Sequence, residues 1–109
     1  MEEETQFLRF LDLINAVANA EMKFKIYKLE YEQCHNNMLL NSNWDEINEE
    51  RQKQGLPKLG NQDMKNAFVE NKLIHMKKDL SLYERGYLDL KRKYDVALKY
   101  SFETLKVSL

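Results

Sequence analysis

Apolar residues recur every three or four positions along most of the chain, which is the period of an α-helix and not the alternation of a strand. The first such stretch, residues 5–40, has an apolar stripe of Phe7, Phe10, Ile14, Val17, Ala20, Phe24, Tyr27, Tyr31, Cys34 and Met38. The second, residues 62–106, has one of Val69, Leu73, Met76, Leu80, Tyr83, Tyr87, Leu90, Tyr94 and Ala97. Both stretches are therefore predicted to be long helices with one apolar edge.

The segment between the two stretches begins with a helix start signal. Asn43 is a favourable N-cap residue, and Glu46 three positions later completes a capping-box pattern. A short helix is predicted over residues 44–54, with Gly55 as the residue that ends it.

Residues 55–61 are predicted to form a loop. They contain the only proline, Pro57, together with two of the three glycines. Proline cannot continue a helix, so the chain breaks at this point. Asn61 is the predicted cap of the uninterrupted long helix that follows over residues 62–106.

These elements predict a single all-α domain of 109 residues. The two long helices are expected to pair antiparallel, as a helical hairpin resembling a coiled coil, joined by the short helix and the Gly-Pro loop. Gly86 lies within the second helix at a cost of about 1 kcal/mol relative to alanine. It indicates either a close crossing of two backbones or a kink.

Further apolar residues lie off the stripe of the second long helix, at Ile74, Leu82, Leu88 and Val96. The apolar face is therefore wider than a two-stranded coiled coil requires. Either a second copy of the chain covers this flank, or the short helix covers it through Trp44 and Ile47. The first alternative is favoured, and a homodimer is predicted.

Charge is distributed unevenly along the chain. Residues 1–54 have a net charge of −5 and residues 55–109 have one of +4, which leaves −1 overall. The basic residues of the second long helix include a row with a spacing of seven, at Lys78, Arg85, Arg92, Lys99 and Lys106, and Lys91 and Lys93 flank Arg92. Such a row can bind phosphates or an acidic protein face.

The same row has a simpler interpretation as a solvated helix face. Asp89 and Asp95 lie close by, and the pairs Asp89–Lys93 and Asp95–Lys99 have the spacing and orientation that stabilise a helix. Both interpretations stay open on the sequence.

Candidate catalytic and metal-binding groups are few. Glu32 and His35 have the Glu-x-x-His spacing of di-iron helical bundles, but those bundles use the arrangement twice with two further glutamates. Cys34 and His35 are neighbours, so on a helix they point about 100° apart and cannot pair as nucleophile and base. No enzyme activity, metal or cofactor is predicted.

The lone Cys34 cannot form an internal disulfide, and the chain starts with acidic residues where a signal peptide has basic ones. No apolar run approaches the roughly 20 residues of a membrane span. A cytoplasmic protein that does not enter a membrane is expected.

The stretch from Trp44 to Arg51, followed by Gly55-Leu56-Pro57-Lys58-Leu59 and residues 61–68, resembles an "NEER…GLPK" pattern in small helical proteins of phages and prophages of Gram-positive bacteria. The resemblance covers residues 44–95 and brings no catalytic residue with it. It implies a protein made in the cytoplasm of an infected host cell. Proteins of this kind often bind a host machine, including CRISPR effectors, or assist phage DNA metabolism.

The predicted function is therefore that of a non-catalytic binding protein that modulates or inhibits a host protein complex. The alternative is an accessory protein of phage DNA replication or recombination that binds DNA or RNA. The residues predicted to contact the partner or nucleic acid are Lys78, Arg85, Lys91, Arg92, Lys93, Lys99, Trp44, Arg51 and Lys58. The middle segment, residues 44–60, has the equally plausible interpretation of a connector.

Overall fold

A computed structural model describes the backbone of residues 2–108 and the side chains of residues 4, 5 and 7–100. The described chain is all helical, as predicted, and contains no strand. Its helices are α1 (Glu2–Asn41), α2 (Trp44–Lys53), α3 (Gln62–Lys72) and α4 (Ile74–Ser108).

The second long helix is not continuous, and the prediction of an uninterrupted helix over residues 62–106 is wrong. Leu73 separates α3 from α4, with φ −99° and ψ 21°, outside the helical range. Its N–H still donates to the Val69 carbonyl at 3.0 Å, and its carbonyl accepts from the Lys77 N–H at 3.0 Å. The apolar spacing continues through Leu73, so the periodicity gives no sign of the break.

Both predicted N-caps are confirmed. The Asn43 side-chain oxygen accepts a hydrogen bond from the Glu46 N–H at 3.2 Å, at the start of α2. The Asn61 side-chain oxygen accepts from the Met64 N–H at 2.8 Å, at the start of α3. Each cap satisfies one of the N–H groups that the first turn of a helix leaves unpaired.

The end of α2 is a Schellman motif, as the position of Gly55 predicts. The Leu56 N–H donates to the Arg51 carbonyl at 2.8 Å, and the Gly55 N–H donates to the Gln52 carbonyl at 3.1 Å. Gly55 has φ 75°, the left-handed conformation that glycine adopts without a steric penalty.

By its contacts the chain divides into two compact units. Unit 1 comprises Met1–Tyr27 and Leu80–Leu109, and unit 2 comprises Lys28–Asp79. Helix α1 contributes to unit 1 as far as Tyr27 and to unit 2 beyond it.

Unit 1 contains α1 packed against α4. The contacts include three aromatic pairs with ring centroids close enough to attract one another: Phe10–Tyr94 at 5.8 Å, Phe24–Tyr87 at 6.1 Å and Tyr27–Tyr83 at 5.0 Å. Residue numbers rise along α1 as they fall along α4, so the two helices run antiparallel, as predicted.

The interior of unit 1 is incompletely covered. Most residues of the two apolar stripes are half-buried, and none of the described side chains in unit 1 is buried. Leu82 is 64% exposed and Val96 is 69% exposed, both on α4 outside the stripe. Two paired helices cover only one face of each other, so the other apolar faces stay open to solvent.

Unit 2 contains the buried core of the described chain. Val69 of α3 is fully buried, and Leu59 of the loop is 5% exposed. The polar side chain of Asn48, on α2, is also buried at 7% exposure. Its oxygen accepts a hydrogen bond from the Leu59 N–H at 2.8 Å, so the loop is attached to α2 by a satisfied buried group.

The interpretation in which the short helix covers the apolar flank of the last helix is wrong. Trp44 of α2 packs edge-on against Phe68 of α3, with ring centroids 5.9 Å apart. The flank residues Ile74, Leu82, Leu88 and Val96 are 38–69% exposed. Helix α2 packs on α3, and the flank residues stay exposed.

Gly86 is expected to be replaceable at a gain in stability. A Cβ atom at this position would meet nothing within 4 Å, so no close backbone crossing requires a glycine there. Gly86→Ala should raise the free energy of unfolding by about 0.5–1 kcal/mol, because alanine restricts the unfolded chain and favours the helix. Urea unfolding followed by circular dichroism measures the difference.

Gly55→Ala is the matched comparison for Gly86→Ala. Its φ of 75° strains any residue that has a Cβ, so this variant should lower the free energy of unfolding. A loss of stability in Gly86→Ala would contradict the structure of α4 at that position.

Candidate interaction surfaces

The basic row of α4 lies on the surface. Arg85, Arg92 and Lys99 are exposed in unit 1, and Lys78 is exposed in unit 2. The side chain of Lys106 lies outside the described residues. Residues seven apart are separated by about 10.5 Å along a helix and share one face. Arg85, Arg92 and Lys99 therefore form a line.

Lys91 and Lys93 are exposed but do not extend this line. Successive residues point about 100° apart around a helix, so these lysines lie on either side of Arg92. Lys91 is close enough to Glu21 of α1 for its charge to help lower the pKa of that carboxyl. Lys91, Arg92 and Lys93 therefore do not form one patch.

Glu21 is held ionised chiefly by its neighbour on α1. The Lys25 Nζ lies 2.7 Å from Oε1 of Glu21, in the favourable order with the acid four residues before the base. This hydrogen bond, followed by the charge of Lys25, lowers the pKa of Glu21 below its ordinary value. The same contact raises the pKa of Lys25.

Exposed apolar side chains alternate with the basic row. Leu82, Leu88 and Val96 lie between or beside Arg85, Arg92 and Lys99. We call these six residues the outer face of α4. The outer face lies on the opposite side of α4 from the apolar stripe that packs on α1. Apolar and basic side chains are mixed along it.

A shallow groove of about 410 Å³ runs along the outer face of α4. It is lined by Ser81, Glu84, Arg85, Leu88, Asp89 and Arg92. The Asp89 carboxylate lies 3.6 Å from the Arg92 guanidinium. The sequence suggests the next residue, Lys93, as its partner. The carboxylates of Glu84 and Asp89 balance the two guanidinium groups that line the groove, so its formal charges cancel.

Trp44 is a structural contact of unit 2. Its indole N–H donates to the Leu39 carbonyl at 3.1 Å, and the Lys65 ammonium lies 5.4 Å from the centre of its ring. With the Phe68 contact, these interactions hold the start of α2 against α1 and α3. Trp44 is half-buried and offers little free surface to a partner.

Arg51 likewise stabilises unit 2. Its Nε donates to the Pro57 carbonyl at 2.9 Å, and its guanidinium lies 6.0 Å from the centre of the Phe68 ring, a cation–π distance. Lys58, in the loop, is exposed. The middle segment therefore builds a packed core with α3, which neither prediction for it anticipated.

A second groove, of about 520 Å³, lies between α2 and α3. It is lined by Glu46, Ile47, Glu50, Arg51, Gln54, Leu56, Phe68, Asn71 and Lys72. Its apolar lining consists of Ile47, Leu56 and Phe68. Arg51 and Lys72 already lie over the Phe68 ring, with Lys72 at 5.4 Å.

Glu32 and His35 share one groove, as their spacing predicts. This groove of about 230 Å³ is lined by Tyr31, Glu32, His35, Asn36 and Glu70. The His35 ring packs against Tyr31 at 6.1 Å, and Glu70 lies 3.5 Å from the Lys77 ammonium. Among the described side chains, no group of three or more His, Cys, Asp or Glu residues is arranged to hold a metal ion.

Helix α1 also has an apolar surface that was not predicted. Leu8, Leu11, Met22 and Ile26 are all exposed, although none belongs to the stripe that packs on α4. The sequence does contain this second stripe: positions 8, 11, 15, 18, 22 and 26 are three or four residues apart, with Asn15 and Ala18 between the larger apolar residues. Tracing a single apolar stripe along α1 concealed it.

No helix within the described part of the chain combines the length and the apolar character that crossing a membrane would need. Comparison with protein-family models, with curated proteins and with solved structures gives no match for this chain.

Proposed function

We propose that the protein is a non-catalytic binding protein of phage type, which modulates a host protein complex in the host cytoplasm by protein–protein contact. The outer face of α4 is the contact surface. The observation that supports this is the alternation of exposed apolar side chains with exposed basic ones along α4. The partner presents apolar side chains flanked by carboxylates, as an acidic amphipathic helix does.

The apolar side chains favour a protein partner over a nucleic acid. Leu88 lies between Arg85 and Arg92 on the groove, and burying it against apolar atoms stabilises a protein complex. Phosphates offer no such surface. Glu84 and Asp89 in the same groove also repel phosphates, whereas a protein can place its own basic groups opposite them.

Nucleic-acid binding is the second candidate, and the straight line of Arg85, Arg92 and Lys99 favours it. A rigid row of cations follows a phosphate backbone and releases its counterions, so such binding weakens steeply with salt. The experiment for the first function distinguishes the two.

The test is capture from a host lysate, in parallel with and without nuclease, using the full chain and a variant with Arg85→Glu and Arg92→Glu. The wild type should retain one stoichiometric partner, and the variant should bind that purified partner about a hundredfold more weakly, because like charges then face each other. The control carries Lys28→Glu and Lys53→Glu, which change the net charge equally at exposed positions elsewhere.

Equal binding of the partner by the Arg85/Arg92 variant would overturn the assignment of the outer face of α4. Retention of DNA or RNA that nuclease removes, with no protein left, would replace the first function by the second. An empty capture both with and without nuclease would contradict both candidates.

A further inference from the structure

Helix α1 has a second apolar stripe on the side away from α4. This outer stripe of α1 consists of Leu8, Leu11, Met22 and Ile26, which are 59%, 38%, 60% and 51% exposed. Met22 and Ile26 lie two positions before and after Phe24, the residue that contacts Tyr87, and are therefore about 160° away from it around the helix. A helix with apolar residues on both sides is typical of one that is covered on both sides.

The centre of the outer stripe carries no charge. Residues 13–20, with the sequence LINAVANA, form a run without a single acidic or basic residue on any face of the helix. Asn15, Ala18 and Asn19 are nevertheless exposed. The solvent face of a surface helix normally carries charged side chains, so this face has the composition of an interface.

We propose that the outer stripe of α1 binds the same stripe of a second copy of the chain, with the two α1 helices antiparallel and crossing at the level of Val17. The surface belongs to unit 1 and does not include the outer face of α4. The dimer therefore goes beyond the proposed function and does not depend on it.

The order of residues along the stripe has the symmetry that such a pairing needs. In a twofold antiparallel pair, each residue meets the residue equally far from the axis on the other side. Leu8 with Ile26, Leu11 with Met22, and Asn15 with Asn19 are each centred on or next to position 17. Large apolar residues therefore meet large apolar residues, and the asparagines meet near the axis, where a polar pair specifies register.

One pair of charges beside the stripe follows the same symmetry. Asp12 and Lys23 are both exposed and are also centred next to position 17. They are three helical turns apart, about 16 Å, which is too far to pair within one chain. An antiparallel second copy brings Asp12 beside Lys23 of the partner subunit, twice per dimer. In a parallel pair Asp12 would lie level with Asp12 of the partner subunit and would have no opposite charge beside it, so only the antiparallel dimer forms these ion pairs.

The first test is sedimentation equilibrium of the full chain from about 1 µM to about 200 µM. The wild type should associate to a dimer. Met22→Glu should raise the dimer Kd by at least about a hundredfold, because it places a carboxylate within the apolar contact. The control is Val96→Glu, the same change in charge on the outer face of α4, and it should leave the Kd within about twofold. Circular dichroism verifies that both variants keep their helix content.

The second test establishes the orientation. Asp12→Lys and Lys23→Asp should each weaken the dimer about tenfold, because two attractions become two repulsions. The double variant should restore the wild-type Kd, since the pairs are re-formed with exchanged signs.

A wild type that stays monomeric over the whole concentration range would overturn the proposal. So would a Met22→Glu variant that dimerises as well as the wild type. A double variant weaker than either single variant would overturn the antiparallel arrangement.

Discussion

Replacing Val69 with aspartate is expected to unfold unit 2. Val69 is the fully buried apolar residue of this unit, so the substituted carboxylate would be placed in the core without a charged partner. Burying an unpaired charge is among the most destabilising single changes, and we expect a loss of about 4 kcal/mol or more. That is a large fraction of the stability of a small domain. Urea unfolding followed by the fluorescence of Trp44, the only tryptophan, reports on this unit directly.

Val96→Asp is the matched control for the Val69 variant. The chemical change is the same, but Val96 is 69% exposed on α4. Valine and aspartate have similar helix propensities, so the free energy of unfolding should change by no more than about 0.5 kcal/mol. Equal effects of the two substitutions would show that Val69 is not the core residue that the structure describes.

Replacing Asn48 with leucine is expected to release the loop that follows α2. The Asn48 oxygen is the acceptor for the buried N–H of Leu59 at 2.8 Å, and leucine has nearly the same size without an acceptor. Leaving a buried donor unsatisfied costs about 1–3 kcal/mol. Urea unfolding measures this loss, and amide hydrogen exchange should show that the Leu59 N–H loses its protection.

Asn37→Leu is the control for the Asn48 variant, because Asn37 is an exposed asparagine on α1. It should leave the exchange of the Leu59 amide unchanged. Unaltered protection of that amide in Asn48→Leu would contradict the role assigned to the Asn48 side chain.

The helices and their caps were predictable because they depend on neighbouring residues. The caps at Asn43 and Asn61 are hydrogen bonds from a backbone N–H three residues further along the chain. An asparagine directly before a helical pattern is therefore enough to predict each cap. Gly55 ends α2 for an equally local reason, its left-handed backbone conformation. The pairing of α1 with α4 also followed from the pattern, because each helix has a continuous apolar stripe that the other can cover.

The break at Leu73 was not predictable from local residues. No glycine or proline lies there, and the apolar spacing runs on without interruption. The roles of Trp44 and Arg51 were also hidden, because their partners Leu39, Phe68 and Pro57 lie at distances along the chain that no periodic pattern specifies. Both residues were assigned to a contact surface, and the structure uses them inside unit 2.

The candidate surfaces divide in the same way. The basic row of α4 was visible in the sequence, since a spacing of seven places residues on one face of any helix. Only the structure shows that Leu82, Leu88 and Val96 on this face are exposed to solvent. The outer stripe of α1 has helical spacing too, but its exposure depends on which of two apolar faces α4 covers.

The sequence by itself determined which segments form helices, where α2 and α3 are capped and which residues make up the apolar stripes. These features depend on hydrogen bonds and side-chain directions within a few residues, so the order of amino acids specifies them. Only the tertiary structure decided which apolar faces are buried and which remain available to a partner, because burial depends on which distant segments meet. For Val69 that meeting produces a core position, and for Met22 it leaves a surface open.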